Sequence, residues 1–168
     1  MISLKAVLVP TDFSECSDAA LRYGTALAEA FGATLHLLNV VHDPYARPWA
    51  AEGFAAPIAD LVADWEAQAR RRLTEAIPAG AAARTVIQTA VGSPHVEITG
   101  YAARHGIDLI VLGTHGRGPL GHLLLGSVAE RVVRSAPCPV LTVRHPQHEF
   151  VVETPVAHAL MPADVTPH

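Results

Sequence analysis

The chain has few cysteines, no long apolar run and no excess of basic charge. Its two cysteines, Cys16 and Cys138, are too few for a disulfide framework, so we expect reduced thiols. No apolar stretch approaches the roughly 18–20 residues that span a bilayer, and the first residues lack the plan of a signal peptide. The formal net charge of −4 gives no reason to expect nucleic acid or an anionic membrane as a partner. These absences predict a cytoplasmic protein that binds neither nucleic acid nor a membrane.

What is present is the composition of one ordinary domain. The chain has 168 residues, of which half are hydrophobic and 17% are charged, and this is enough to bury a sizeable core. Five apolar, strand-like runs alternate with helical patterns. The strands are predicted at 4–9, 34–41, 84–91, 108–113 and 140–144, and the helices at 15–31, about 58–77, 94–105 and 127–136. The second helix carries Leu61, Trp65, Ala69 and Leu73 on its apolar face.

Strands that are separated by helices predict a doubly wound, open parallel α/β sheet with helices on both faces. The expected fold is Rossmann-like, with five strands in the order 3-2-1-4-5. We assign residues 1–144 to this domain. Residues 145–168 contain four prolines, and they are predicted to form an extended C-terminal tail that crosses to a partner subunit.

The segment after the fourth strand, GTHGRGPLGHLLLGSVAE, is rich in glycine. Gly113, Gly116, Gly126 and Ser127 are spaced G-x2-G-x9-G-S. Glycine lets backbone N–H groups approach phosphate oxygens closely, since it has no Cβ. Ser127 and Glu130 also predict a capping box at the start of a helix, whose N-terminus favours an anion. The segment therefore predicts a phosphate-binding loop, and the alternative is a turn used only for tight connection.

This segment lacks the lysine of a Walker A loop, and no G-x-G-x-x-G follows the first strand. The basic candidates near a phosphate are Arg117, His115 and His122. The two histidines fit equally well as solvent-exposed loop residues. Arg70–Arg72 are interpreted as a solvated helix face.

A second motif, PTDFSE, follows the first strand directly. Asp12 and Ser14 are both suited to cap the next helix. In a sheet ordered 3-2-1-4-5 this loop and the glycine-rich loop lie at the point where the strand order reverses, which is where open α/β sheets bind ligands. Asp12 is therefore also a candidate to bind Mg²⁺ beside phosphate oxygens.

Together PTDFSE, LLNVV, DLIVLGTHGRG and LLGSVAERVVRSAPCPVLTVR resemble the universal stress proteins, over residues 1–144. The likeness includes the ATP-binding pattern of that family. It implies a homodimer that pairs through the last strand, Val140–Val143. It also implies an ATP site, with Mg²⁺ near Asp12, formed by Pro10, Thr11, Asp12, Val40, Gly113, Thr114, His115, Gly116, Arg117, Gly126, Ser127 and Val128.

The function that these features favour is a nucleotide-dependent regulatory or stress-response module. Hydrolysis is expected to be slow at most, because there is neither a Walker lysine nor an arginine finger. One alternative is a nucleotide-hydrolysing or nucleotide-transferring enzyme of the related superfamily. The adenylating members of that superfamily need SGG-x-DS after the first strand or a HIGH motif, whereas this chain has PTDFSE after its first strand. The other alternative is a dimerisation module that binds no nucleotide.

Overall fold

A computed structural model describes residues 2–42, 55–77, 81, 84–114 and 125–144 of the chain. Each predicted strand and helix is present, and its ends differ from the prediction by a few residues. The elements in chain order are β1 (Ala6–Pro10), α1 (Glu15–Phe31), β2 (Thr34–His42), α2 (Ala55–Glu75), β3 (Thr85–Gly92), α3 (Pro94–Arg104), β4 (Leu109–Gly113), α4 (Ser127–Ser135) and β5 (Val140–Val143). Within these ranges no helix is long and apolar enough to cross a bilayer. The predicted tail lies outside the described residues.

The strands form one parallel sheet in the order β3-β2-β1-β4-β5, which confirms the predicted topology. Strand β1 is central, since Val7 pairs with Leu35 of β2 on one side and with Leu109 of β4 on the other. The chain adds β2 and β3 on the first side and β4 and β5 on the second. The strand order therefore reverses between β1 and β4, at the carboxyl edge where such sheets bind ligands.

Both faces of the sheet are covered, and this explains the unbroken apolar run of β1. Val7 and Val9 face a core that includes Tyr23 of α1 and Leu73 of α2. Ala6 and Leu8 face the opposite core, which includes residues of α3 and α4. Helices α1 and α2 thus cover one face, and α3 and α4 cover the other, so alternate residues of a central strand are all buried.

The start of α1 matches its sequence signals. Ser14 is the N-cap, and its hydroxyl accepts a hydrogen bond from the Ser17 N–H at 3.3 Å, while the Ser17 hydroxyl accepts from the Ser14 N–H at 3.0 Å. Gly32 ends the helix in the left-handed conformation, with φ of 65°, which glycine adopts without steric cost. The predicted cap at Ser14 is confirmed.

The start of α4 differs from the prediction. Its N-cap is Gly126, which has the extended backbone of a cap (φ −59°, ψ 149°), whereas Ser127 is already the first helical residue. The capping box predicted for Ser127 and Glu130 is therefore wrong. Glu130 instead pairs with Arg134 one turn later, at 3.0 Å, because a side chain already inside the helix meets its i+4 neighbour on the surface.

One titratable cluster lies between the sheet and α3, away from the carboxyl edge. The His36 Nδ1 atom of β2 is 2.9 Å from the Tyr101 hydroxyl of α3. The Tyr101 ring stacks on His105, with 4.1 Å between the ring centroids. Burial lowers the pKa of His36 below its ordinary value of 6.5, and the charge of His105 lowers it further.

The His36 environment predicts a loss of stability on mild acidification. The unfolded chain binds a proton at His36 more readily than the folded chain does. The free energy of unfolding should therefore decrease as the pH falls through about 6.5 towards the lower pKa of the folded state. In thermal unfolding, the Tm of the unsubstituted protein should decrease between about pH 7.5 and about pH 5.5. The decrease should be smaller for the His36→Gln variant.

Asp108 does not confound this experiment. Hydrogen bonds from the backbone N–H groups of Lys5 and Ala6 lower its pKa below the ordinary 3.8, so its own stabilisation is lost only at more acidic pH. Identical pH dependences for the protein and for His36→Gln would contradict the prediction.

Candidate functional site

A cavity of about 650 Å³ lies at the carboxyl edge of the sheet. The ends of β1, β2 and β4, the first turns of α3 and α4, and one side of α2 form its walls. This volume is within the range of small-molecule sites. Nine of the predicted site residues line the cavity, namely Pro10, Thr11, Asp12, Val40, Gly113, Thr114, Gly126, Ser127 and Val128.

The backbone after β1 is held firmly between strands. The Thr11 N–H donates to the Leu38 carbonyl at 2.9 Å, and the Asn39 side-chain amide donates to the Thr11 carbonyl at 2.8 Å. Asn39 is buried, so this bond satisfies a polar group that would otherwise be costly to bury. Sequence reasoning did not select Asn39. The feature of the sequence that could have identified Asn39 is that it is a single amide side chain within the apolar run of β2.

The carboxylate of Asp12 bonds to the N-cap residue of α1 while it lines the cavity. Its Oδ1 accepts hydrogen bonds from the Ser14 N–H at 3.1 Å and from the Ser14 hydroxyl at 2.6 Å. In the part of the chain that the structure describes, no group of three or more His, Cys, Asp and Glu side chains could hold a metal ion. A divalent cation at Asp12 would therefore need oxygen ligands from a bound phosphate and from water.

Gly113 has a packing role that the sequence did not indicate. A Cβ atom at this position would lie 2.8 Å from the backbone carbon and oxygen of Cys16 in α1. Such a contact is too close for a real side chain, so glycine allows α1 to approach the end of β4. The requirement for glycine here comes from helix–strand packing, in addition to any approach of a phosphate.

The two described ends of the glycine-rich segment meet at its base. The Thr114 N–H donates to the Val143 carbonyl of β5 at 2.9 Å, and the Gly126 N–H donates to the Thr114 carbonyl at 2.7 Å. The start of α4 is thereby fixed beside the end of β4. The predicted site residues His115, Gly116 and Arg117, together with His122, lie outside the described residues.

The N-terminus of α4 opens onto the cavity. Gly126, Ser127, Val128 and Ala129 all line it, and among the described residues no side-chain hydrogen bond caps this end of the helix. The N–H groups of a first helical turn have no partner within the helix, and the helix dipole is positive at this end. This arrangement suits an anion such as a phosphate group.

One side of α2 forms a wall that the sequence analysis did not identify. We call Trp65, Gln68, Ala69 and Arg72 the α2 stripe, since their i, i+3, i+4, i+7 spacing places them on one side of the helix and all four line the cavity. The prediction placed Trp65 and Ala69 on one apolar face of the helix, and on that face Trp65 is 37% exposed whereas Ala69 is buried. The predicted helical spacing of the apolar residues on α2 was correct. Trp65 is nevertheless exposed, because α2 extends beyond the core to the open edge of the sheet.

Arg72 is the second residue of α2 that makes a contact the sequence did not predict. Arg70, Arg71 and Arg72 are all exposed, as predicted for a solvated face. However, the Arg72 guanidinium carbon also lies 3.9 Å from the centroid of the Phe13 ring, in a cation–π contact. Phe13 has a positive φ of 61°, which is rare for an aromatic residue. The Phe13 N–H donates to the Thr11 hydroxyl oxygen at 2.9 Å.

The fold and the cavity define an open, doubly wound α/β domain with a ligand-sized site at its switch point. The chain belongs to the Universal stress protein family, whose model matches residues 3–144.

Individual relatives agree with this assignment. A universal stress protein of Methanocaldococcus jannaschii is 34% identical, over 86% of this chain and 85% of the relative. The structure of the universal stress protein UspA from Lactobacillus plantarum is 30% identical and matches with a TM-score of 0.71, over 86% of this chain and 100% of that chain. A structure of a universal stress protein in complex with cAMP is 25% identical, with a TM-score of 0.56, over 84% of this chain and 98% of that chain.

Proposed function

We propose that this protein is an ATP-binding universal stress protein that acts as a nucleotide-dependent regulatory or stress-response module. The observation that carries the proposal is the convergence of the N-terminus of α4, whose N-cap Gly126 has no side chain, and the Pro10–Asp12 segment on one cavity of about 650 Å³. The complex of a relative with cAMP supports an adenine nucleotide as the ligand class.

The phosphates would lie at the N-terminus of α4. The backbone N–H groups of Ser127 and Val128 would donate to phosphate oxygens, since the Gly126 N–H already donates to the Thr114 carbonyl. The Ser127 hydroxyl would add a donor, because the N-cap position is held by Gly126 and not by Ser127. From the resemblance, Val40 would contact the adenine, Pro10 and Thr11 would line the site, and Asp12 would act through Mg²⁺.

We propose that hydrolysis of the bound nucleotide is slow at most. Asp12 is the one acidic side chain among the described residues that line the cavity. Its Oδ1 already accepts two hydrogen bonds from Ser14. A general base needs to face the attacking water, and capping holds this carboxylate towards the start of α1. The protein would then signal by nucleotide occupancy more than by turnover.

A carboxylate at position 126 should abolish binding while the fold persists. Gly126→Asp places a preferred N-cap residue in a compatible backbone conformation, so the Tm should not decrease. A negative charge about 4 Å from a phosphate oxygen costs about 4 kcal/mol at an intermediate dielectric constant. Calorimetry should therefore show a loss in ATP affinity of more than about 100-fold.

Gly126→Asn is the matched control, because asparagine caps equally well but carries no charge. Its loss of affinity should be much smaller than that of Gly126→Asp. The supernatant of the denatured, purified protein should also contain ATP or ADP for the unsubstituted chain and neither for Gly126→Asp. A folded Gly126→Asp variant that binds ATP normally would refute the phosphate site. A chain without nucleotide affinity would favour the dimerisation module.

Asp12→Asn tests the magnesium ligand without removing the cap. The asparagine oxygen can accept the same hydrogen bonds from Ser14, so the Tm should change little. The affinity for ATP should decrease about tenfold with Mg²⁺ present. Without Mg²⁺ it should stay unchanged or rise, since one negative charge near the triphosphate is removed. Equal losses under both conditions would show that Asp12 acts only in capping.

We further propose that the protein forms a homodimer through β5, Val140–Val143. This strand is at the edge of the described sheet, and it pairs with β4 on its other side. The carbonyl groups of Pro139 and Val143 accept bonds from β4 and from the residue that follows it. By the alternation of a strand, the N–H groups of Val140 and Thr142 then point away from β4. They are available to pair with a second copy of the same edge.

Thr142→Pro should dissociate such a dimer selectively. Proline removes an N–H that is not used in the β4 ladder, and an edge strand tolerates proline at such a position. Thr142→Val is the control because it keeps the N–H. Sedimentation at low concentration should give a monomer for Thr142→Pro and a dimer for Thr142→Val. Dimers of equal stability from both variants would place the interface elsewhere.

A further inference from the structure

The two walls of the cavity differ in chemistry. Helices α1 and α2 cover one face of the sheet, and α3 and α4 cover the other, so the α2 stripe and the N-terminus of α4 approach the carboxyl edge from opposite sides. The α4 wall presents backbone N–H groups and a positive dipole end. The α2 stripe presents an indole, an amide, a methyl group and a guanidinium group. A ligand with one anionic end and one flat, weakly polar end matches this division.

We propose that the α2 stripe recognises the base of the nucleotide, with Trp65 packing on the heterocycle and Gln68 hydrogen-bonding to its edge. This assignment rests on the proposed function and names the residues that determine its specificity. It adds residues from α2 to a site that the sequence predicted only from strand ends and the glycine-rich segment.

Trp65 is the one exposed large hydrophobic side chain of the described residues that lines the cavity. It is 37% exposed, although its neighbour on the stripe, Ala69, is 6% exposed and packs into the domain. Ala69 of α2 and Val40 of β2 line the same cavity as Trp65. An aromatic ring, a methyl group and a branched aliphatic side chain together suit a planar base, since aromatic stacking on bases is favourable.

Gln68 can distinguish between purines. A glutamine amide offers one acceptor and two donor hydrogens. Adenine presents a donor from its amino group next to a ring acceptor, and glutamine matches this pair with two hydrogen bonds. Guanine presents a carbonyl acceptor in place of the amino donor. Guanine therefore presents two acceptors on this edge, the amide oxygen has no donor to pair with, and the two-bond contact favours adenine.

Arg72 acts as a positioning residue for this wall. Its guanidinium group stacks on Phe13 at 3.9 Å, and the Phe13 backbone is bonded to the Thr11 hydroxyl. The contact joins the end of the stripe to the segment that follows β1. The α2 wall is thereby tied to the sheet edge before any ligand binds, which lowers the entropic cost of ordering the site.

Calorimetry with two probes tests the proposal on the full chain. ATP presents a base and phosphates, whereas inorganic tripolyphosphate presents the anionic end alone. Trp65→Ala should weaken ATP binding about tenfold or more and leave tripolyphosphate binding unchanged. Trp65→Phe keeps an aromatic face and should stay within about threefold of the unsubstituted protein. Arg71→Ala, an exposed neighbour outside the stripe, should change neither ligand.

A second variant isolates the contact to the edge of the base. Gln68→Ala should reduce the preference for ATP over GTP about tenfold, with tripolyphosphate again unaffected. The proposal is overturned if Trp65→Ala weakens both probes equally, or weakens neither, in a variant with unchanged Tm. If the unsubstituted protein binds tripolyphosphate as tightly as ATP, the result supports the anion site and refutes recognition of the base. If it binds neither probe, the proposed function and this inference are both refuted.

Discussion

The parallel pairing of β1 with β4 is the contact on which the rest of the molecule depends. Val7 and Leu8 pair with Leu109 and Ile110, and this places the ends of two strands that are distant in sequence side by side. Because β2 lies on the other side of β1, the connections from β1 and β4 leave the sheet in different directions. The crevice between them is where the cavity lies. Without this pairing the Pro10–Asp12 segment and the start of α4 would share no site.

Backbone hydrogen bonds supply much of the rigidity of the site. The carbonyl groups of Leu38, Thr114 and Val143 each accept from a backbone N–H of a neighbouring segment. These bonds fix the backbone of Thr11, Thr114 and Gly126 whatever side chains these positions carry. Side chains are then free to differ in chemistry, and this is how one fold can present different ligand-binding surfaces.

Close packing is the second source of order at the edge. The absence of a side chain at Gly113 lets α1 lie against β4, with Cys16 at the point of contact. The same helix begins at the cap formed by Ser14 and Ser17, and Asp12 bonds to Ser14. The start of α1, the end of β4 and the cavity wall are therefore in direct contact with one another.

The sequence by itself determined the fold class and the bounds of the elements within a few residues, through apolar periodicity, Ser14 as a cap, and glycine or proline where elements end. The nine predicted residues of the cavity wall came in part from the family resemblance that the sequence carries. The sequence also determined the family, through motifs that are contiguous in the chain. It did not determine that Gly126 caps α4, because the choice between adjacent cap residues depends on how the helix start is anchored to Thr114.

Only the tertiary structure decided the roles of Asn39, Gly113 and the α2 stripe. Asn39 donates a hydrogen bond to Thr11, Gly113 packs against Cys16, and Arg72 makes a cation–π contact with Phe13. The two residues of each pair are far apart in the chain. A periodic pattern shows which side of α2 is apolar, but not where along the helix the core ends and the cavity begins. That boundary is set by the position of the sheet edge against the helix, a contact between elements that no local sequence pattern encodes.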